Sequence, residues 1–64
     1  MKVYIQKTQE KKDIKFKGSV ENLLKRLKIN PETVIVTVNG TLAADDEGLD
    51  DSDSIEILQV VSGG

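Results

Sequence analysis

The chain has 64 residues, a formal net charge of −2, and neither cysteine nor histidine. A chain this short forms one domain and buries only about 60% of the surface that it exposes when unfolded, so a large internal pocket is not expected. Without cysteine and histidine the chain has no thiol nucleophile and lacks the commonest general base and metal ligand, so we do not expect an enzyme. No apolar run is long enough for a membrane span or a signal peptide, so we expect a cytoplasmic protein.

The first two predicted elements form a β-hairpin. Apolar and polar residues alternate around Val3 and Ile5, and again in residues 13–17, where Ile14 and Phe16 are predicted to point inward. Alternation with a period of two is typical of a half-buried strand. Two such runs joined by a short polar stretch predict a hairpin.

The third predicted element is an amphipathic helix. Its apolar stripe has the spacing i, i+3, i+4 and i+7 and consists of Val20, Leu23, Leu24 and Leu27. The Ser19 hydroxyl is a candidate cap for the first turn. Asn30 precedes a proline, which disfavours helical geometry and ends the helix.

Three strands are predicted in the second half of the chain. Residues 33–38 are mostly β-branched and predict a strand, and the following Asn39-Gly40 pair favours a tight type I′ turn into a short return strand around residues 41–43. An acidic loop follows, in which Leu49 is expected to point inward and attach the loop to the core. Residues 54–61 predict the last strand.

This order of elements predicts a two-layer α+β domain, with one helix packed across one face of a mixed four- to five-stranded sheet. The apolar last strand is buried centrally if it lies beside the first strand and parallel to it. That arrangement is the β-grasp, or ubiquitin-like, fold. We expect residues 1–61 to form this domain and residues 62–64 to form a flexible Ser-Gly-Gly tail.

Strand parity predicts an apolar patch on the sheet face opposite the helix. With Val3, Ile55 and their neighbours facing the helix, the other face presents Tyr4, Ile35, Leu58 and Val60. Apolar patches on small proteins commonly mark interaction sites, so these four residues are the candidate docking surface for a partner. The alternative is that exposed apolar residues are scattered and have no role.

Charge is distributed unevenly along the chain. All nine Lys and Arg lie at or before Lys28 with three acids, whereas the residues after Lys28 include eight acids and no base. The two halves either suit partners of opposite charge or lie side by side and screen each other.

The charged segments contain groups that could bind a metal ion or a nucleic acid. The acidic loop offers oxygen ligands, but no EF-hand register fits, because Gly48 at loop position six would place Ala43 at position one. We expect no bound metal, and a solvated loop or an acidic rim facing a basic partner. We also expect no direct nucleic-acid binding, because Tyr4 is the only aromatic residue left for base stacking once Phe16 joins the core.

At the C-terminal half the sequence resembles a known family. The segments VIVTVNG (34–40), LDDSDSIEIL (49–58) and VVSGG (60–64) together resemble the ThiS/MoaD sulfur-carrier proteins and the small archaeal modifier proteins. Ser52-Asp53 stands where many sulfur carriers have Gly-Asp before the last strand. The double proline common before the tail of molybdopterin carriers is absent, which argues against that pathway.

The resemblance implies that the reactive group is the α-carboxylate of Gly64, preceded by Gly63 in a tail narrow enough to enter an enzyme channel. A ubiquitin-activating-type enzyme would adenylate this carboxylate with ATP. A sulfur donor protein would then form a thiocarboxylate, or a lysine of a target protein would form an isopeptide bond. The chain itself would be a monomeric co-substrate that binds no cofactor.

The sequence leaves several roles open. Sulfur transfer for thiamin, tRNA thiolation or other cofactor synthesis and protein modification all use the same carboxylate. The alternative function is that of a non-covalent β-grasp adaptor or an RNA-binding module, in which the terminal glycines have no role.

Overall fold

The computed structural model describes residues 1–60. Residues 61–64 lie outside the described residues. The predictions that fall on this segment are the domain boundary after residue 61, the tail 62–64 and the two terminal glycines. Residues 1–60 contain no helix with the length and apolar character of a membrane span.

The N-terminal hairpin is present, but its second strand lies earlier than predicted. β1 (Lys2–Ile5) pairs antiparallel with β2 (Glu10–Asp13), so the prediction of a strand over residues 13–17 was wrong. The reason is a tight turn after β1, in which Gln9 adopts a φ of 55° and its N–H donates to the Gln6 carbonyl. Ile14 and Phe16 still pack against the core as predicted, although they follow the strand.

The helix forms where the apolar stripe predicts it. β3 (Gly18–Ser19) leads directly into α1 (Val20–Arg26). The Ser19 hydroxyl accepts a hydrogen bond from the Asn22 N–H at 3.3 Å, so Ser19 is the N-cap, as predicted. The helix ends at Arg26, earlier than the stop predicted at Asn30, because Lys28 adopts a φ of 59° and the Ile29 N–H donates to the Leu24 carbonyl at 2.9 Å. A 3₁₀ turn at Pro31–Thr33 follows.

The second hairpin has the predicted turn. β4 (Val34–Val38) pairs antiparallel with β5 (Thr41–Leu42). Asn39 and Gly40 have φ values of 53° and 85°, and the type I′ turn requires positive φ at both positions.

The last part of the chain contributes two strands. β6 (Gly48–Leu49) pairs with β3 in a small second sheet that the sequence analysis did not predict. β7 (Ser54–Gln59) ends before Val60, which was predicted to belong to it, although the Val60 N–H still donates to the Thr33 carbonyl at 3.1 Å.

The main sheet has the order β2-β1-β7-β4-β5, with β7 parallel to β1 and antiparallel to β4. This central, parallel last strand confirms the predicted β-grasp fold. The buried core lies between this sheet and α1, and Leu49 joins it from the acidic loop as predicted. Its members are Met1, Val3, Val20, Leu23, Leu24, Val36, Val38, Leu49, Ile55 and Ile57.

Candidate functional site

The sheet face opposite α1, here called the open face, carries the residues predicted to dock a partner. Residues paired across neighbouring strands point to the same side of a sheet, and side chains alternate along each strand. Since Ile55 and Ile57 are buried in the core, Glu56 and Leu58 of the same strand belong to the open face.

Ile35 and Leu58 form the centre of this face. They are direct partners in the antiparallel pairing of β4 with β7. Ile35 is 39% exposed, and Leu58 is half-buried. The register therefore brings together two of the four predicted docking residues.

Tyr4 and Val60 flank that pair. Tyr4 of β1 is half-buried and lies beside Glu56, which precedes Leu58 by two residues on the same face. Val60 follows Leu58 by two residues and is 49% exposed. All four predicted docking residues thus occupy neighbouring positions along and beside β7, but Glu56 separates Tyr4 from the apolar pair.

Leu42 is an exposed apolar residue that the sequence analysis missed. It is 67% exposed and pairs with Thr37, which in turn pairs with Glu56 of β7. The signal was present in the sequence, because the two-residue Asn39-Gly40 turn fixes Thr37 opposite Leu42. Strand parity then assigns Leu42 to the open face.

The main chain is hydrogen-bonded on both sides at the end of the described residues. The Gln59 N–H donates to Oε1 of the Gln6 side chain at 3.0 Å, and the Val60 N–H donates to the Thr33 carbonyl at 3.1 Å. Gly63 and Gly64, the predicted site of covalent chemistry, follow these residues and lie outside the described part of the chain.

Several carboxylates of the acidic loop accept main-chain hydrogen bonds. Asp53 accepts from the Asn39 side chain at 3.1 Å and from the Asp50 N–H at 2.9 Å, and Asp51 accepts from the Phe16 N–H at 2.9 Å. Within residues 1–60, no cluster of three or more His, Cys, Asp or Glu residues is arranged to hold a metal ion. Asp51 and Asp53 thus join this loop to the rest of the domain, through Phe16 and Asn39 respectively.

The charged halves are not joined by ion pairs in the part of the chain that the structure describes. Its three ion pairs all lie within the first 28 residues: the α-amino group with Asp13, Lys12 with Glu10, and Lys25 with Glu21. The acids after Lys28 thus form no direct ion pair with the basic half there.

Comparisons with known proteins agree with this fold. The ThiS family model matches residues 3–64. The sulfur carrier protein TtuB of Thermus thermophilus is 32% identical over 57 residues, an alignment that covers 86% of this chain and 88% of that protein.

Solved structures give the same result. The crystal structure of the thiamine biosynthesis protein ThiS from Geobacter metallireducens has a TM-score of 0.67 and 25% identity, with both chains covered completely. An NMR structure of a thiamine biosynthesis protein from that organism has a TM-score of 0.62 and 25% identity, covering all of this chain and 88% of the other. The chain therefore belongs to the ThiS family of ubiquitin-like sulfur carriers, which are small substrate proteins rather than enzymes.

Proposed function

We propose that this sulfur carrier works through the α-carboxylate of Gly64. The observation that carries the proposal is the family match, which extends to residue 64 and so includes Gly63 and Gly64. Glycine has no Cβ, so a glycine pair can pass through a narrow channel in conformations that other residues rarely adopt. The β-grasp domain then acts as the part that a partner recognises.

The proposed chemistry begins with activation. A C-terminal carboxylate is ionised at neutral pH and is a poor electrophile. A ubiquitin-activating-type enzyme would let a carboxylate oxygen of Gly64 attack the α-phosphorus of ATP, with pyrophosphate as the leaving group. The product is a mixed anhydride of Gly64 with AMP.

Sulfur enters in the second step. A sulfur donor protein would supply sulfur at the oxidation level of sulfide, which attacks the acyl carbon of Gly64 and displaces AMP. The result is a thiocarboxylate that can pass sulfur to a cofactor or tRNA. Capture of the same adenylate by a lysine amine would instead give an isopeptide, the outcome for a protein modifier.

The open face is the proposed docking surface for the activating enzyme. Its apolar centre is the Ile35–Leu58 pair, with exposed Leu42 on the neighbouring β5 and exposed Val60 two residues after Leu58. Exposed apolar residues that lie together favour an interaction site over a chance distribution. Tyr4, beside Glu56, would lie at the margin of this surface.

An exchange assay tests the activation step. The chain is incubated with the activating enzyme, ATP and labelled pyrophosphate, and label incorporated into ATP reports reversible adenylate formation. We expect exchange with the full chain and none with a variant that lacks Gly64, whose circular dichroism spectrum should be unchanged. Binding to the enzyme without exchange would contradict the proposal and favour a non-covalent adaptor.

A further inference from the structure

At the end of β7, a side-chain oxygen accepts the hydrogen bond that a main-chain carbonyl would accept in a regular parallel pair. In a parallel pair, a residue of one strand bonds to residues on both sides of its partner in the other strand. Ile5 is the partner of Ile57, and the Gln6 N–H donates to the Ile57 carbonyl at 3.0 Å. The next bond of this series would run from the Gln59 N–H to the Gln6 main-chain carbonyl.

That carbonyl is used elsewhere. It accepts the Gln9 N–H at 3.2 Å and closes the turn that leads the chain away from β7 into β2. Gln9 reaches this position with a φ of 55°. Oε1 of the Gln6 side chain accepts the Gln59 N–H instead, at 3.0 Å.

The opposite side of β7 is held at the next residue. The Val60 N–H donates to the Thr33 carbonyl at 3.1 Å, and Gln59 pairs with Val34 of β4. The N–H groups of Gln59 and Val60 thus donate to opposite sides of the chain. The Gln59 N–H donates to the segment after β1, and the Val60 N–H donates to the 3₁₀ turn before β4. These bonds fix the position and direction of the main chain at residues 59 and 60.

Gly64 follows Val60 by four residues. Four extended residues span at most about 14 Å, so the place at which the main chain is held at Gln59 limits the positions that the Gly64 carboxylate can reach. Reacting atoms must approach to about 3–3.5 Å, and a misplacement of about 1 Å costs roughly 100-fold in rate.

We propose that Gln6 is a positioning residue for activation of Gly64: its side-chain oxygen fixes the direction in which the chain leaves β7. This inference rests on the proposed function, because it concerns the rate at which the Gly64 carboxylate reacts. Gln6 acts through Gln59 and does not contact the reacting atoms.

Three variants test the inference. Gln6→Met keeps the length of the side chain and removes the oxygen acceptor, whereas Gln6→Glu keeps an oxygen at that position. Thr8→Ala is the matched control, because Thr8 lies in the same exposed turn and has no side-chain hydrogen bond within residues 1–60. For each variant, we measure amide hydrogen exchange at Gln59, the dissociation constant for the activating enzyme, and the single-turnover rate of adenylate formation at saturating carrier.

We expect Gln6→Met to accelerate exchange at Gln59 by about three- to tenfold, as loss of one hydrogen bond implies. The single-turnover rate should fall by at least about threefold while the dissociation constant changes by less than about twofold, because docking uses the open face and orientation uses Gln6. Gln6→Glu should restore both quantities, and Thr8→Ala should change neither.

Two results would overturn the inference. The first is a wild-type single-turnover rate in Gln6→Met, and the second is a loss confined to the dissociation constant, which would make Gln6 a docking residue. Failure of the proposed function is distinguishable from both, because the unmodified chain would then form no adenylate at all.

Discussion

Ile35 of β4 and Leu58 of β7 are direct partners across the central antiparallel pair of the sheet, on the face that α1 does not cover. Neither side chain is needed to close the buried core, which lies on the other side of both strands. The conformation of the strands is fixed by core residues such as Val36 and Ile57, so Ile35 and Leu58 are held at fixed positions facing outward.

The first prediction concerns this pair. Ile35→Ala and Leu58→Ala should each weaken binding to the activating enzyme by about 1–2 kcal/mol, because truncation removes apolar contact area at the centre of the interface. Isothermal titration calorimetry measures the change. Ile29→Ala is the control, since Ile29 is half-buried like Leu58 but packs against the core near the end of α1. Equal affinity in all three variants and the unmodified chain would contradict docking through the open face.

The second prediction concerns Leu42, which would extend the docking surface onto β5. Leu42→Ser should change the free energy of unfolding by less than about 0.5 kcal/mol, because the side chain is 67% exposed. The same change should weaken binding to the activating enzyme in the calorimetric assay. Unaltered affinity would exclude β5 from the surface and restrict docking to β4, β7 and β1.

The third prediction concerns the attachment of the acidic loop. Asp53→Ala leaves the Asn39 side chain and the Asp50 N–H without their acceptor, and should lower the free energy of unfolding by about 1–3 kcal/mol in urea titrations. Asp46→Ala is the control, because Asp46 is exposed and has no side-chain hydrogen bond or ion pair among residues 1–60. Equal losses in the two variants would show that the hydrogen bonds of Asp53 do not stabilise the loop.

The fourth prediction concerns the core beneath the docking surface. Ile57→Ala should cost about 2–5 kcal/mol of unfolding free energy, because Ile57 is 1% exposed and its truncation leaves a cavity. Ile57→Val should cost only about 0.5–1.5 kcal/mol. A domain this short has a small free energy of unfolding, so the alanine variant should already be partly unfolded at the start of a thermal melt. A cost below 1 kcal/mol for Ile57→Ala would contradict the close packing of Ile57 in the buried core.

Much of the fold is predictable because its signals are local. The Ser19 cap, the Asn39-Gly40 turn and the apolar stripe of α1 each involve residues within a few positions of one another. The central position of β7 agrees with its apolar residues on both faces, since Ile55 and Ile57 face the core and Leu58 lies on the open face.

Other features depend on contacts that local patterns do not encode. The position of β2 is set by the turn at Gln6–Gln9, and β2 is a polar edge strand with no apolar alternation to reveal it. The pairing of β3 with β6 involves two residues on each side, too few to show a period. The role of Gln6 depends on Gln59, 53 positions away in the chain.

Of the candidate site, the open face could be predicted by strand parity, and Leu42 could have been added by the same argument. That Glu56 lies between Tyr4 and Thr37 required the register of three strands. The importance of Gly63 and Gly64 stays a prediction from resemblance, because both follow the described residues.

Tandem mass spectrometry of the chain after reaction with ATP, the activating enzyme and the sulfur donor tests the central claim most directly, because fragmentation locates the sulfur atom. The account predicts that the C-terminal fragment ends at Gly64 and carries one sulfur in place of one carboxylate oxygen. Sulfur found at any other residue, an unmodified Gly64 under conditions in which the enzyme consumes ATP with another carrier, or a mature chain that continues past Gly64 would contradict it.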